Sequence, residues 1–168
     1  MAISQKMQDA LNNHTNQEFY SSYLYLSMAS YCEYINLPGF AHWMKIQSQE
    51  EYTHAMKLFD FVNDRDGRAV LHPISQPTIE FESIQDIMQS TLDHERHVSA
   101  LINELYGVAV EENDVATQIH LQWFITEQIE EEKTADDLVQ QLKMIDGQGD
   151  ALLLLDRELS TRTLEATE

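Results

Sequence analysis

The sequence predicts an all-α protein made of four long helices and a short fifth helix. Apolar residues recur at intervals of three and four over four long stretches, which is the pattern of helices that each bury one face. The chain has only 5 Gly and 3 Pro, and we expect them between the periodic stretches. With 168 residues and 43% hydrophobic content, it can bury one sizeable core. We therefore expect a single domain over residues 1–168.

Charge and composition narrow the class of partner. The net charge of -19 comes from 29 acidic and 10 basic residues, which argues against nucleic acid or an anionic membrane and favours small cations. Cys32 is the single cysteine, so neither an intrachain disulfide nor a four-cysteine metal site can form. The amino terminus lacks an apolar signal core, and no run is long enough to span a membrane. We expect a soluble cytoplasmic protein.

The first two helices are separated by a short break at Pro38-Gly39. Ser4 is a suitable N-cap for a first helix over about residues 4–34. Its predicted inner face contains Met7, Leu11, Glu18, Tyr25 and Met28. Pro38 suits a first helical turn, and Gly67 is expected to end a second helix over about residues 38–66. The inner face of this helix is expected to contain Phe40, Met44, Glu51, His54, Leu58, Phe61 and Val62.

A long connection is expected before the third helix. The stretch from residue 67 to about 82 contains Pro73 and Pro77 and is long enough to cross a bundle, which predicts parallel second and third helices. Ser83 and Asp86 resemble a capping box that opens a helix over about residues 83–111. Its predicted inner face contains Ile84, Met88, Leu92, Glu95, Val98, Ile102 and Leu105.

The fourth helix is expected over about residues 114–146, ending near Gly147. Its predicted inner face contains Leu121, Phe124, Gln128, Glu131, Ala135, Leu138 and Leu142. The short fifth helix, about residues 150–161, follows Gly149 and is apolar on nearly all sides from Ala151 to Leu155. A single subunit could not easily cover it, so we expect it to contribute to a subunit interface.

Each long helix places one carboxylate within an apolar face. These carboxylates are Glu18, Glu51, Glu95 and Glu131, and His54 and Gln128 lie beside them. An unpaired buried charge costs several kcal/mol or more, so the pattern predicts bound cations. Carboxylates with one imidazole favour iron or manganese over zinc, and two divalent ions would offset about four carboxylate charges. Glu51, central in the set, is the predicted bridge between two ions.

Four segments of the chain resemble a bacterial-type non-haem ferritin. They are residues 16–22 (NQEFYSS), 49–54 (QEEYTH), 122–133 (QWFITEQIEEEK) and 156–160 (DRELS). The resemblance covers essentially the whole chain. It implies a ferritin-like four-helix bundle with one long crossover connection between helices 2 and 3. It also implies oxidation of Fe(II) by O2 or H2O2 and storage of Fe(III) mineral inside a hollow homo-oligomeric cage of 24 subunits.

The resemblance also implies a role for individual residues. Site A would use Glu18, Glu51 and His54, with Gln128 near the oxidant, and site B would use Glu51, Glu95 and Glu131. A third site, C, would use Glu50, Glu127, Glu130 and Glu131. Tyr25 matches a tyrosine beside the centre that can supply an electron, and Trp123 lies near the centre in the sequence pattern.

Haem is not expected. The related bacterioferritins have a second Glu-x-x-His on the fourth helix and a haem-binding Met next to the bridging Glu. Here the corresponding residues are Glu127-Gln128-Ile129-Glu130 and Tyr52. A different enzyme of the same bundle type, a di-iron or di-manganese oxidase acting on another substrate, is the alternative, and a non-catalytic cage is a third possibility.

Several of these residues also have simpler interpretations. Glu50, Glu127 and Glu130 lie one step off the inner face, where a Glu is usually solvated. Tyr25 could be a core tyrosine, and packing is the expected role of Trp123 and Trp43. The remaining histidines are interpreted as surface or structural residues, with His94 and His97 pointing away from the face of Glu95; they are His14, His42, His72, His94, His97 and His120.

Overall fold

A computed structural model describes residues 2–146 and 148–164, and within them it contains five helices and no strand. The helices are α1 (Gln5–Tyr34), α2 (Pro38–Asp64), α3 (Ile84–Glu111), α4 (Val115–Ile145) and α5 (Gly149–Leu159). The all-α prediction is therefore confirmed. The predicted helix end at Gly147 lies outside the described residues. Across the described part of the chain, no helix combines the length and apolar character needed to cross a bilayer.

The helix starts follow from local capping chemistry. The Ser4 hydroxyl accepts a hydrogen bond from the Met7 amide at 3.1 Å, and Ser83 accepts one from Asp86 at the same distance. Both N-caps were predicted from the sequence. Gly107 departs from the expected placement of glycines, because it lies inside α3.

The end of α2 differs slightly from the prediction. The helix ends at Asp64, and Asp66 adopts a left-handed backbone conformation with φ 57°. Asp66 therefore makes the turn that was expected at Gly67, since Asp tolerates this conformation better than most residues do. Gly67 is still needed for close approach: a Cβ there would lie 2.8 Å from the Val62 carbonyl oxygen.

Contacts at one end of the bundle establish the topology. The Ser4 hydroxyl donates to Glu112 at 2.8 Å, so the start of α1 lies beside the end of α3. The Ile3 amide donates to the Arg65 carbonyl at 3.0 Å, which places the end of α2 at the same level. Arg65 also pairs with Asp114 at the start of α4 at 3.0 Å. Helices α2 and α3 are therefore parallel, and the connection between them runs the length of the bundle as predicted.

Among the residues that the structure describes, the core forms two apolar clusters separated by a polar layer. One cluster includes Met28 and Met44, and the other includes Leu58 and Phe124. Between them, at one level of the bundle, lie the buried polar side chains Glu18, Gln47, Glu51, His54, Glu95, Gln128 and Glu131. Apolar packing thus holds the four helices on both sides of the acidic residues.

Helix α5 packs against the start of α2. A Cβ at Gly39 would lie 1.6 Å from the main-chain oxygen of Asp156, so only glycine permits this approach. The Asp156 carboxylate accepts a hydrogen bond from the Phe40 amide at 2.9 Å. Leu153 and Leu154, on the other side of α5, are 52% and 66% exposed. The apolar surface expected on α5 is therefore present, and its burial between subunits stays a prediction.

Candidate metal centre

Four carboxylates, one from each long helix, are buried at the middle of the bundle. The exposed fractions of Glu18, Glu51, Glu95 and Glu131 are 1%, 2%, 1% and 8%. The helical periodicity that predicted them on the inner faces therefore holds over all four helices. Carboxylates removed from water to this extent need hydrogen-bond donors, protons or cations as partners.

The residues predicted for site A lie together. One ligand atom from each of Glu18, Glu51 and His54 lies within 4.8 Å of the other two. Nδ1 of His54 is 3.4 Å from a carboxylate oxygen of Glu51, as the i, i+3 spacing on α2 allows. Neither oxygen of Glu18 accepts a well-aligned hydrogen bond, although both are buried. The geometry and this unmet hydrogen-bonding capacity fit a bound cation.

His14 is a neighbour of this group that the sequence interpretation did not connect with it. Its Nε2 lies 2.9 Å from Oε1 of Glu18 without the alignment of a hydrogen bond, and both side chains are buried. The two residues are one helical turn apart on α1. This i, i+4 spacing could have predicted that their side chains meet.

A second group joins α2 to α4. Ligand atoms of His54, Glu127 and Glu131 also lie within 4.8 Å of one another. The residues predicted for site C are brought together only in part: Glu127 and Glu131 belong to this group, whereas Glu130 is exposed. Glu50 forms an ion pair with Arg162 at 2.5 Å.

Glu95 belongs to neither group among the described residues, and hydrogen bonds hold it in place. The Tyr25 hydroxyl donates to one of its oxygens. The Gln128 amide donates to the other oxygen and to the Glu95 main-chain carbonyl, each at 3.1 Å. Two further predicted site residues, Tyr25 and Gln128, are thus in direct contact with Glu95.

Gln47 links the two other carboxylates predicted for site B. Its side-chain nitrogen donates to Glu51 at 3.0 Å and to Glu131 at 2.8 Å. Gln47 was not predicted as a site residue, although it lies one turn before Glu51 on the inner face of α2. One buried amide therefore sets the relative position of carboxylates from α2 and α4.

Without a cation, three of the carboxyl groups resist ionisation. Burial, followed by the charges of Glu51 and Glu131, raises the pKa of Glu95 well above its ordinary value. Burial and then the charge of Glu51 raise the pKa of Glu131 to about 8. Burial also raises the pKa of Glu51. The causes are desolvation and repulsion between like charges, and a divalent cation would counter both.

The two remaining ligands predicted for site A are shifted towards their charged forms. Burial opposes a charge on His54, but its contact with the Glu51 carboxylate raises the pKa of His54 to about 10. Burial similarly opposes ionisation of Glu18, but the nearby His14 imidazole lowers the pKa of Glu18 below its ordinary value. In the metal-free protein the cluster thus compensates its charge with protons, which a metal ion would displace.

Aromatic side chains surround the centre. The Trp123 ring makes an edge contact with His54 at 5.3 Å between centroids, and Nζ of Lys57 lies 3.8 Å from the Trp123 ring centroid. The expected orientation of His94 is wrong: its ring packs edge-on against Tyr25 at 5.8 Å, and its Nε2 lies 2.8 Å from the Ser21 hydroxyl. Because Tyr25 and Ser21 both lie on α1, the half-buried His94 ring faces that helix.

The other histidines and tryptophan agree with a structural or surface role. Trp43 is buried in the core, and His97 is exposed. The His120 ring stacks on Phe61 with centroids 3.9 Å apart, and burial lowers the pKa of His120 to about 4. Tyr52 is 53% exposed and packs against Phe19.

The fold and the buried carboxylate centre together define a ferritin-like four-helix bundle. A family model described as the ferritin-like domain matches residues 8–145. The chain belongs to the ferritin family.

Relatives and solved structures agree with this assignment over nearly the whole chain. The chain is 41% identical to the bacterial non-heme ferritin of Bacteroides fragilis over 161 residues, which cover 95% of this chain and 99% of that protein. It is 34% identical to a probable bacterial non-heme ferritin-like protein of Haemophilus influenzae over 164 residues, covering 98% and 99%. An engineered closed form of Archaeoglobus fulgidus ferritin matches with a TM-score of 0.97 and 48% identity, covering 98% of this chain and 100% of that chain.

Proposed function

We propose that this protein is an iron-storage ferroxidase. It would bind Fe(II) inside the bundle, oxidise it with O2 or H2O2, and store Fe(III) as mineral within a hollow cage of 24 subunits. The observation that carries the proposal is the convergence of Glu18, Glu51 and His54 among buried carboxyl groups. Family membership and the names of the non-heme ferritin relatives support it.

The donor set suits two iron ions as substrates. Site A would use Glu18, Glu51 and His54, and site B would use Glu51, Glu95 and Glu131, so that Glu51 bridges the two ions. Carboxylate oxygens with one imidazole suit iron, whereas structural zinc sites favour thiolates and imidazoles. Two divalent ions would offset about four carboxylate charges, which removes the repulsion that raises the pKa of Glu95 and Glu131.

The ligands would also favour the oxidation itself. Anionic oxygen donors stabilise ferric iron relative to ferrous iron, so they lower the reduction potential of each bound ion. Two Fe(II) ions supply two electrons, and O2 takes these electrons with two protons to give H2O2. A paired oxidation of this kind avoids the one-electron reduction of O2.

Tyr25 and Gln128 would assist from the side of Glu95. The Tyr25 hydroxyl donates to Glu95, so that carboxylate could accept the phenolic proton when Tyr25 gives an electron to H2O2. The Gln128 amide holds the other oxygen of Glu95 and fixes its orientation. Trp123, in edge contact with His54, would be a further aromatic neighbour of site A.

A third iron ion would bind next to the pair. Glu127 and Glu131 support this part of the proposal, because their ligand atoms lie close together with that of His54. Glu50 and Glu130 would complete site C and would need to move towards it. Glu50 would leave its ion pair with Arg162, and Glu130 would turn inward from its exposed position.

The cage and the cytoplasmic location are also part of the proposal. The exposed Leu153 and Leu154 on α5 offer an apolar surface for subunit contact. Cys32 is free and buried, as in proteins of a reducing compartment. The burial of this thiol also raises its pKa to about 12, which keeps it unreactive.

Stopped-flow oxidation of Fe(II) tests the activity. Glu51→Ala removes the bridging ligand and should abolish fast oxidation while the particle keeps its size by gel filtration. His54→Ala combined with Glu18→Ala should give the same result through site A alone. Glu104→Ala, which removes an exposed acid from α3, is the matched control. Oxidation at the wild-type rate in assembled Glu51→Ala protein would refute the assignment.

A further inference from the structure

The segment after α5 folds back onto α2 and presents an arginine to it. Nη2 of Arg162 lies 2.5 Å from a carboxylate oxygen of Glu50, and Nη1 donates to the Gln47 side-chain oxygen at 2.9 Å. The guanidinium also lies 4.3 Å from the Trp43 ring centroid. The main-chain oxygen of Arg162 lies 2.8 Å from Nε2 of His42, which anchors the segment. Arg162 therefore occupies a defined position.

This arginine is one hydrogen-bonded residue away from the candidate metal centre. The Gln47 amide that it orients donates in turn to Glu51 and Glu131. Glu50 itself directly precedes Glu51 on α2 and is held by the guanidinium. The guanidinium thus contacts one predicted ligand of the third site directly and is linked to Glu51 and Glu131 through Gln47.

We propose that Arg162 controls occupancy of the third iron site by holding Glu50 with its guanidinium until a metal ion displaces it. This inference rests on the proposed function, because it concerns Glu50 as a ligand of site C. One positive charge beside Glu50 compensates the charge of that carboxylate when no metal is bound. A divalent ion would provide the same compensation with twice the charge.

Arg162 and the third ion would compete for the Glu50 carboxylate. The guanidinium is bonded to the Glu50 carboxylate at 2.5 Å, and its charge would repel a cation approaching either oxygen of that group. The contact is shielded from water, with side-chain exposures of 21% for Arg162 and 12% for Glu50, so screening by solvent is limited. Binding of a metal ion at Glu50 would therefore favour displacement of the guanidinium.

Zn²⁺ titration of the assembled, chelator-treated protein tests the proposal without iron oxidation. Calorimetry should show that Arg162→Gln binds the third Zn²⁺ per subunit about tenfold more tightly than the wild type, because a charge-assisted hydrogen bond no longer competes. Arg162→Lys keeps the charge without the two-pronged contact and should lie between them. The matched control is Arg157→Gln, which removes an exposed arginine from α5 and should leave the third affinity unchanged.

Trp43 provides a second, independent readout. In a Trp123→Phe background, the third equivalent of Zn²⁺ should change Trp43 emission as the guanidinium leaves the ring. The same step should be absent in Arg162→Gln, which has no guanidinium to displace. It should also be absent in Glu50→Gln, which retains Arg162 but lacks the carboxylate for metal. Zn²⁺ does not quench emission as iron does, so a change reports the position of Arg162.

The outcomes separate this inference from the proposed function. An unchanged or weaker third affinity in Arg162→Gln, including failure of any third ion to bind, would overturn the role of Arg162. Trp43 emission that does not change with the third equivalent of Zn²⁺ in the wild type would also overturn the role of Arg162. If the wild type fails to bind the first two Zn²⁺ ions tightly, the paired site is refuted. If it binds two ions tightly but substitution of Arg162 has no effect on the third, the paired site remains supported.

Discussion

Glu131→Gln should stabilise the metal-free protein. Burial and the charge of Glu51 raise the pKa of Glu131 from 4.5 to about 8. A carboxyl with a raised folded pKa favours folding while it is protonated, so this stability is complete below pH 4.5 and is lost as the pH rises to 8. Between pH 4.5 and pH 7, an interval of about 2.5 pH units, the free energy of unfolding should fall by about 3 kcal/mol per subunit. Glutamine cannot ionise and can still accept the hydrogen bond from Gln47.

Denaturant unfolding of chelator-treated protein, at equal subunit concentration, measures the effect. The advantage of Glu131→Gln should be small at pH 5, about 3 kcal/mol at pH 7, and larger at pH 8. Adding Zn²⁺ should then stabilise the wild type more than the variant, because only the wild type has the fourth carboxylate. Glu104→Gln, at an exposed position, is the control. A variant that is no more stable than the wild type at pH 7, or a pH-independent difference, would show that Glu131 is not held protonated by its surroundings.

Three further substitutions test other parts of the structure. Gly39→Ala would place a Cβ 1.6 Å from the Asp156 main-chain oxygen, so it should separate α5 from α2 and increase hydrogen exchange in α5; unchanged protection would contradict this packing. A Cβ at Gly107 would have no neighbour within 4 Å, so Gly107→Ala should raise the free energy of unfolding by about 0.5–1 kcal/mol in thermal unfolding. A lower stability of the variant would contradict the open helix surface. Tyr25→Phe removes a buried donor to Glu95 and should cost the metal-free protein about 1–3 kcal/mol in the same unfolding assay; wild-type stability would show that the hydroxyl contributes no bond.

The position of the acidic layer could be predicted because it depends on local periodicity. Along an α-helix of about 30 residues, the apolar stripe fixes which side faces inward, so a Glu within the stripe must be buried. Glu18, Glu51, Glu95 and Glu131 follow this rule on four separate helices. The crossover was also predictable from the sequence. The proline-containing segment between the second and third helical stripes is long enough to run the length of the bundle, which predicts parallel helices.

The side chains that organise the layer depend on contacts that no local pattern contains. Arg162 and Glu50 are 112 residues apart, and only the packing of α5 on α2 brings them together. Gln47 resembles any polar helix residue until α4 supplies Glu131 as its second acceptor. Glu130 lies next to Glu131 in sequence but is exposed. Each step along an α-helix rotates the side chain by about 100°, so adjacent residues lie on different faces. The role of Glu130 in site C was inferred from resemblance alone.

Anomalous diffraction from crystals soaked anaerobically in ferrous salt would locate the paired iron site and its ligands. We expect two iron peaks about 3.5–4 Å apart with Glu51 between them. One ion should contact Glu18 and His54, and the other should contact Glu95 and Glu131. Absence of iron from the bundle centre, or a single ion that does not contact Glu51, would contradict the assignment of a paired ferroxidase site.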